Sequence, residues 1–143
     1  MSQGFNGRET HTNPINRYAV DLVMPQGEPV CAAQTGEVVD LYDGRGWFST
    51  DYKKSSYVRI KHSNQQISDY QHLLPGSIQV SIGQKIQAHQ CFAQVGSTGN
   101  STGPHLHFSV LKEKNGELVS IPFQFINPAG KAYTPQYLQW VRN

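Results

Sequence analysis

His105 and His107 are separated by one residue and follow a glycine-rich run, Gly96-Ser-Thr-Gly-Asn-Ser-Thr-Gly103, and a proline. In a strand such positions project from one face, about 7 Å apart at the usual rise, so both imidazoles enter one cleft. One can bind a metal ion while its neighbour stands beside a bound water, and the glycines let backbone and substrate approach closely. Taken alone, a histidine pair of this spacing is common, and a solvated surface pair explains it equally well.

Asp21 adds a second sign of chemistry. It lies inside the apolar run Tyr18-Ala-Val-Asp-Leu-Val-Met24, where burying an unpaired carboxylate is costly. A salt bridge to Arg17 or Arg59 is one answer. With few basic residues nearby and six histidines in the chain, a divalent metal is the better one. His11 precedes Asp21 by ten positions, across a loop with turn chemistry that could bring its imidazole over the strand; otherwise it is a solvated loop residue. A His, Asp, His ligand set leaves a fourth tetrahedral position for water, as in catalytic zinc sites. Two further histidines can then take the water proton and stabilise the charged intermediate or protonate the leaving amine.

His72 closes the run 67–74, where strand parity puts it on one face with Tyr70, and Ile67, Asp69 and Gln71 on the other. Its plain alternative is a core or edge histidine. His62 shares the face of Val58 and Ile60 and reads as packing or support. His89 has no partner in sequence and reads as exposed.

The elements that must position these residues are strands. Short β-branched or alternating runs are punctuated by Gly, Asn and Pro, and no long apolar stripe has helical spacing. Strands are predicted over 18–23, 29–33, 37–42, 57–62, 66–73, 84–95, 105–112 and 117–122. Asn115-Gly116 is a hairpin turn between two of them. Segments 27–39 and 80–96 each alternate a glycine turn with a short apolar strand, weak evidence of an internal duplication. The tail 122–143 carries Phe123, Phe125, Tyr133, Tyr137 and Trp140. It is expected to pack back on the core as a C-terminal extension, with Tyr137, Leu138 and Val141 on one turn of a short helix.

At 143 residues the chain is one domain, 1–143. Thirteen glycines, eight prolines and only 15% charged residues suit a turn-rich β domain better than a helical bundle. A formal charge of +2 without a basic run argues against nucleic acid. No stretch approaches the roughly 18 apolar residues of a membrane span. The start Met1-Ser-Gln-Gly lacks the basic-then-apolar order of a signal peptide, so the chain is expected to be cytosolic or a mature domain with an added start methionine. Cys31 and Cys91, sixty positions apart, are expected to be two small buried thiols, with a disulfide as the alternative.

Several motifs together resemble the lysostaphin-type metalloendopeptidases: Gln3-Gly-Phe-Asn-Gly7, the run from His11 to Asp21, Tyr18-Ala-Val-Asp-Leu-Val-Met-Pro-Gln-Gly27, Tyr70-Gln-His-Leu73, and the run from Gly96 through Gly-Pro-His-Leu-His-Phe108. The likeness runs from about Gln3 to Lys112. It implies antiparallel β-sheets in a duplicated-hybrid-motif, barrel-sandwich-like fold with a zinc groove for an extended peptide. Carried over by position, it implies His11, Asp21 and His107 as ligands of one Zn2+ per chain, and His72 and His105 as catalytic residues. Many relatives place the first histidine four residues before the aspartate, where this chain has Arg17, and the tyrosine that some relatives carry upstream is Phe5 here. The resemblance implies a monomeric enzyme of the periplasm or cell envelope that cuts the peptide part of peptidoglycan. Two rivals remain: a non-catalytic relative that binds the wall and activates an amidase, and a hybrid-motif carrier phosphorylated on one histidine. Loop 43–56, with Trp47, Phe48 and Tyr52, is expected to set specificity.

Overall fold

A computed structural model describes residues 14–44, 55–96, 104–126 and 132–133. Eleven strands are formed among them: β1 (Val20–Val23), β2 (Pro29–Cys31), β3 (Gly36–Tyr42), β4 (Tyr57–Lys61), β5 (Ile67–Gln71), β6 (Lys85–Ile86), β7 (Cys91–Gln94), β8 (His105–Lys114), β9 (Glu117–Ile121), β10 (Phe125–Ile126) and β11 (Ala132–Tyr133). No helix occurs among the described residues, in line with the mainly β expectation.

The main sheet runs β1-β8-β5-β4-β3-β6, with β9 on β8, and every pairing is antiparallel. The ten-residue β8 is its spine: its first residues pair with β1, its middle with β5 and its end with β9. Asn115 and Gly116 both have positive φ, 53° and 81°. This is the mirror-image two-residue turn that matches the twist of a hairpin, as the Asn-Gly pair predicts.

Alternation along the strands sorts the two faces. Tyr70 and Phe108 lie opposite each other in register and face the core, ring centroids 5.2 Å apart. Phe92 of β7 meets Tyr70 edge-on at 5.0 Å. The β2–β7 ribbon thus closes over the apolar face, where Val20, Val38, Val58, Ile60, Leu73 and Val95 are fully buried. Phe123 and Phe125 extend this packing around Phe108. The other face of β1, β8 and β5 carries Asp21, His107, Asp69 and Gln71.

Three expectations change. The predicted strand 84–95 is two strands, because β6 pairs with β3 in the main sheet and β7 with β2 in the ribbon; the chain passes between layers at His89, which is exposed and has φ 69°. β10 and β11 pair in a tail where sequence reading placed no strand; the proposed helix over 137–141 lies outside the described residues. The cysteines are not separate buried thiols: Cys31 and Cys91 are register partners on β2 and β7, joined by a disulfide, and Cys91 is exposed. Cross-linking positions 60 residues apart restricts the unfolded chain, worth about 4 kcal/mol in the chain-entropy account. The two similar segments, 27–39 and 80–96, pair with each other through β2–β7 and β3–β6.

Candidate functional site

Register brings the chemistry-bearing residues together. Asp21 on β1 lies directly opposite His107 on β8, and His107 directly opposite Gln71 on β5. Antiparallel partners share a face, so the aspartate of the apolar run and the second histidine of the pair must meet. Asp21 Oδ1 is 3.0 Å from His107 Nδ1 and 3.8 Å from His105 Nε2. Asp21 and His107 are buried, at 4% and 5% exposure, whereas His105 is partly open. Neither Arg17 nor Arg59 is needed to explain the buried carboxylate, and Arg59 is engaged elsewhere.

His72 joins by a route that parity does not predict. By alternation its side chain should follow Tyr70 into the core, yet its ring lies 4.5 Å from that of His105 and 5.7 Å from that of His107. Strand β5 ends at Gln71, and His72 takes the left-handed conformation, φ 63°. This reverses the direction of the side chain at a cost that His tolerates better than most residues. The backbone around it is held on all sides. Its N–H donates to Ser55 Oγ at 2.7 Å, and its C=O accepts from Gly96 N–H at 2.9 Å. The next amide, Leu73 N–H, donates to Ser56 O. Gly96 has to be glycine here: a Cβ would lie 2.7 Å from Leu74 N and Cα.

The floor beside the histidines is ionic. Asp69, 1% exposed, accepts from Arg59 Nε at 3.2 Å and from Gln71 Nε2 at 2.6 Å. Arg59 also reaches Asp40, 3.5 Å away, which accepts from the Tyr57 hydroxyl at 3.0 Å. Burial pushes the Asp69 carboxyl above the ordinary carboxylate range, while Arg59, Gln71 and the nearby His107 pull it back. Burial and the Asp40 bond likewise raise the Tyr57 phenol.

Of the five expected site residues, Asp21, His72, His105 and His107 converge, and His11 lies outside the described residues. His62 is apart from them. It is buried, with Nδ1 2.9 Å from Thr35 O and Nε2 2.9 Å from Ser68 Oγ, a packing role in accord with its reading. Sequence reading missed Ser55, whose link to His72 spans 17 positions, and the burial of Asp69. A charged residue alternating with Ser68 and Tyr70 in a short strand was the one available signal for Asp69.

Whether the donors fit a metal can be judged from Asp21 and His107. An anionic oxygen and an imidazole nitrogen 3.0 Å apart approach the edge of a zinc tetrahedron, about 3.3 Å for ligands at the usual bond lengths. Both groups belong to zinc's ordinary ligand set. Among the described residues no group of three or more His, Cys, Asp or Glu could hold an ion, so the fit requires a donor from outside them.

Comparison with known proteins gives the same direction. The sequence model of peptidase family M23 matches residues 16–120. The peptidoglycan DD-endopeptidase ShyC of Vibrio cholerae is 34% identical over 138 residues, 92% of this chain and 30% of that protein. The glycyl-glycine endopeptidase ALE-1 of Staphylococcus capitis is 32% identical over 129 residues, 89% of this chain and 33% of that protein. The chain therefore spans about a third of the length of these curated relatives. Among solved structures, a zinc containing peptidase from Vibrio cholerae superposes with a TM-score of 0.56 at 31% identity, covering 73% of this chain and 30% of that one.

Proposed function

The chain belongs to peptidase family M23, and on that premise we propose that it is a zinc-dependent metalloendopeptidase that hydrolyses peptide bonds of peptidoglycan, with one ion per chain. The observation that carries this reading is the meeting of Asp21 and His107 at 3.0 Å, with His105 and His72 alongside.

In this reading Asp21 and His107 hold the ion, and His11 is the third ligand. When bound, zinc supplies a Lewis acid that polarises a carbonyl and acidifies water. The chain's own residues do the remaining work. His105 and His72 share the proton traffic: one accepts the proton of the attacking water, and the other donates to the carbonyl oxygen as it gains charge or to the leaving amine. The Arg59–Asp69 pair keeps the floor of the groove rigid, with Arg59 as the main countercharge to the buried carboxylate.

The Cys31–Cys91 disulfide favours an oxidising compartment such as the periplasm or cell surface, where the substrate is found. No helix among the described residues is long and apolar enough to cross a membrane. The monomeric state and the choice between a D-alanyl-diaminopimelate bond and a glycyl-glycine bond belong to the same proposal. The groove wall expected to make that choice, loop 43–56, lies largely outside the described residues.

The test is incubation with defined muropeptides of both kinds and mass spectrometry of the product termini. One new amine and one new carboxyl terminus, lost on chelation and restored by zinc, are expected. An intact muropeptide together with stimulation of an amidase would replace the enzyme by the non-catalytic activator.

A further inference from the structure

We propose that Ser55 is a positioning residue for His72: its hydroxyl oxygen holds the His72 amide in the left-handed conformation that turns the imidazole from the core side of the sheet to His105. The inference deepens the proposed function and rests on it for the role of His72.

Three observations carry it. First, the conformation needs a restraint. His72 is the residue after the last of β5, and an extended φ there would continue the alternation and send the side chain beside Tyr70 into a core that is already closed. The observed φ of 63° is a minor well for any residue with a Cβ, so it persists only where surrounding bonds over-determine it. Second, the restraint is specific to this residue's own amide. The 2.7 Å bond from His72 N–H to Ser55 Oγ is the contact on the amide side, opposite the Gly96 bond to the carbonyl. His72 is buried, so losing the acceptor would leave an amide without ready access to water. Third, the same oxygen lies 3.5 Å from His72 Nδ1, so one hydroxyl constrains both the backbone and the near edge of the ring. Ser55 is itself fixed in place: Ser56, next to it, accepts from Leu73 N–H through its carbonyl and from Gly44 N–H through its hydroxyl at 3.0 Å.

A residue that acts through His72 has a distinctive signature. Ser55→Ala should lower kcat about tenfold with KM and zinc content unchanged, and Ser55→Thr, which keeps the acceptor, should recover most of the rate. In a His72→Ala background the Ser55→Ala change should cost nothing further, because the group it positions is gone. A tenfold loss that persists in that background, or wild-type kcat in Ser55→Ala, would overturn the proposal. A second readout is independent of turnover: the nuclear Overhauser contact between the His72 and His105 rings is expected in the wild type and in Ser55→Thr, and weakened in Ser55→Ala. If no muropeptide is cleaved by the wild type, the proposed function fails while this contact still decides the positioning role; its persistence in Ser55→Ala refutes that role on its own.

Discussion

Asp21 on β1 and Asp69 on β5 flank β8 on one face of the main sheet, and both carboxylates are withdrawn from water, at 4% and 1% exposure. Their partners differ in kind. Asp69 is met by the Arg59 guanidinium, which only donates hydrogen bonds and offers no lone pair to a metal, and by the Gln71 amide, which turns its donating Nε2 to the carboxylate. Asp21 is met by imidazoles, which can donate, accept or ligate. The first carboxylate is therefore a closed ionic joint in the floor. The second is part of an open donor set, and the chemistry of the neighbours, rather than burial, makes the difference.

The comparison breaks most visibly at the metal. Asp21→Ala and His107→Ala are expected to bring zinc below about 0.2 ion per chain by elemental analysis and to reduce turnover by about three orders of magnitude or more. Asp69→Asn should keep its zinc; a metal-free Asp69→Asn protein would end the distinction between the two carboxylates. Next in size, His105→Ala and His72→Ala should retain zinc and lose about a hundred- to ten-thousand-fold in kcat, measured on a defined muropeptide. Loss of the ion in either variant would move that histidine into the ligand set.

On the other side of the comparison the currency is stability. Arg59→Met should cost about 3 kcal/mol in denaturant unfolding, since it strands the buried Asp69 charge, with zinc content unchanged. The smallest effect is a pH dependence. The folded pKa of Asp69 is raised by burial above its ordinary 3.8, so the folded state binds that proton more tightly than the unfolded chain does. Its contribution to stability is fully present below 3.8 and is lost as pH rises through the raised value. Thermal melts of wild type and Asp69→Asn should therefore diverge in favour of Asn as pH climbs through that window and run parallel above it. A difference that stays flat across the window would mean that Arg59 fully offsets the burial.

Much of the strand plan was legible because it rests on near-neighbour rules. The Asn-Gly pair needs only its own φ preferences to make the β8–β9 hairpin, and the His105-x-His107 spacing needs only pleat parity. His62 was readable as packing because Val58 and Ile60 mark its face. Reading failed where a decision was made at a distance. Residues 84–95 looked like one strand because their pattern carries no sign that two different partners, β3 and β2, divide them. The cysteines looked like separate thiols because sixty intervening residues conceal that they are register partners.

The sequence by itself determined that an aspartate in an apolar strand and a histidine pair in another would have to be reconciled with burial, since hydrophobic pattern and side-chain type are local properties. Only the tertiary structure decided how: β1 pairs with β8 so that Asp21 falls opposite His107, and β5 ends one residue early so that His72 turns back towards them. Register and a single left-handed φ are set by hydrogen bonds between distant segments, among them those from Ser55 and Gly96, and no local preference contains them.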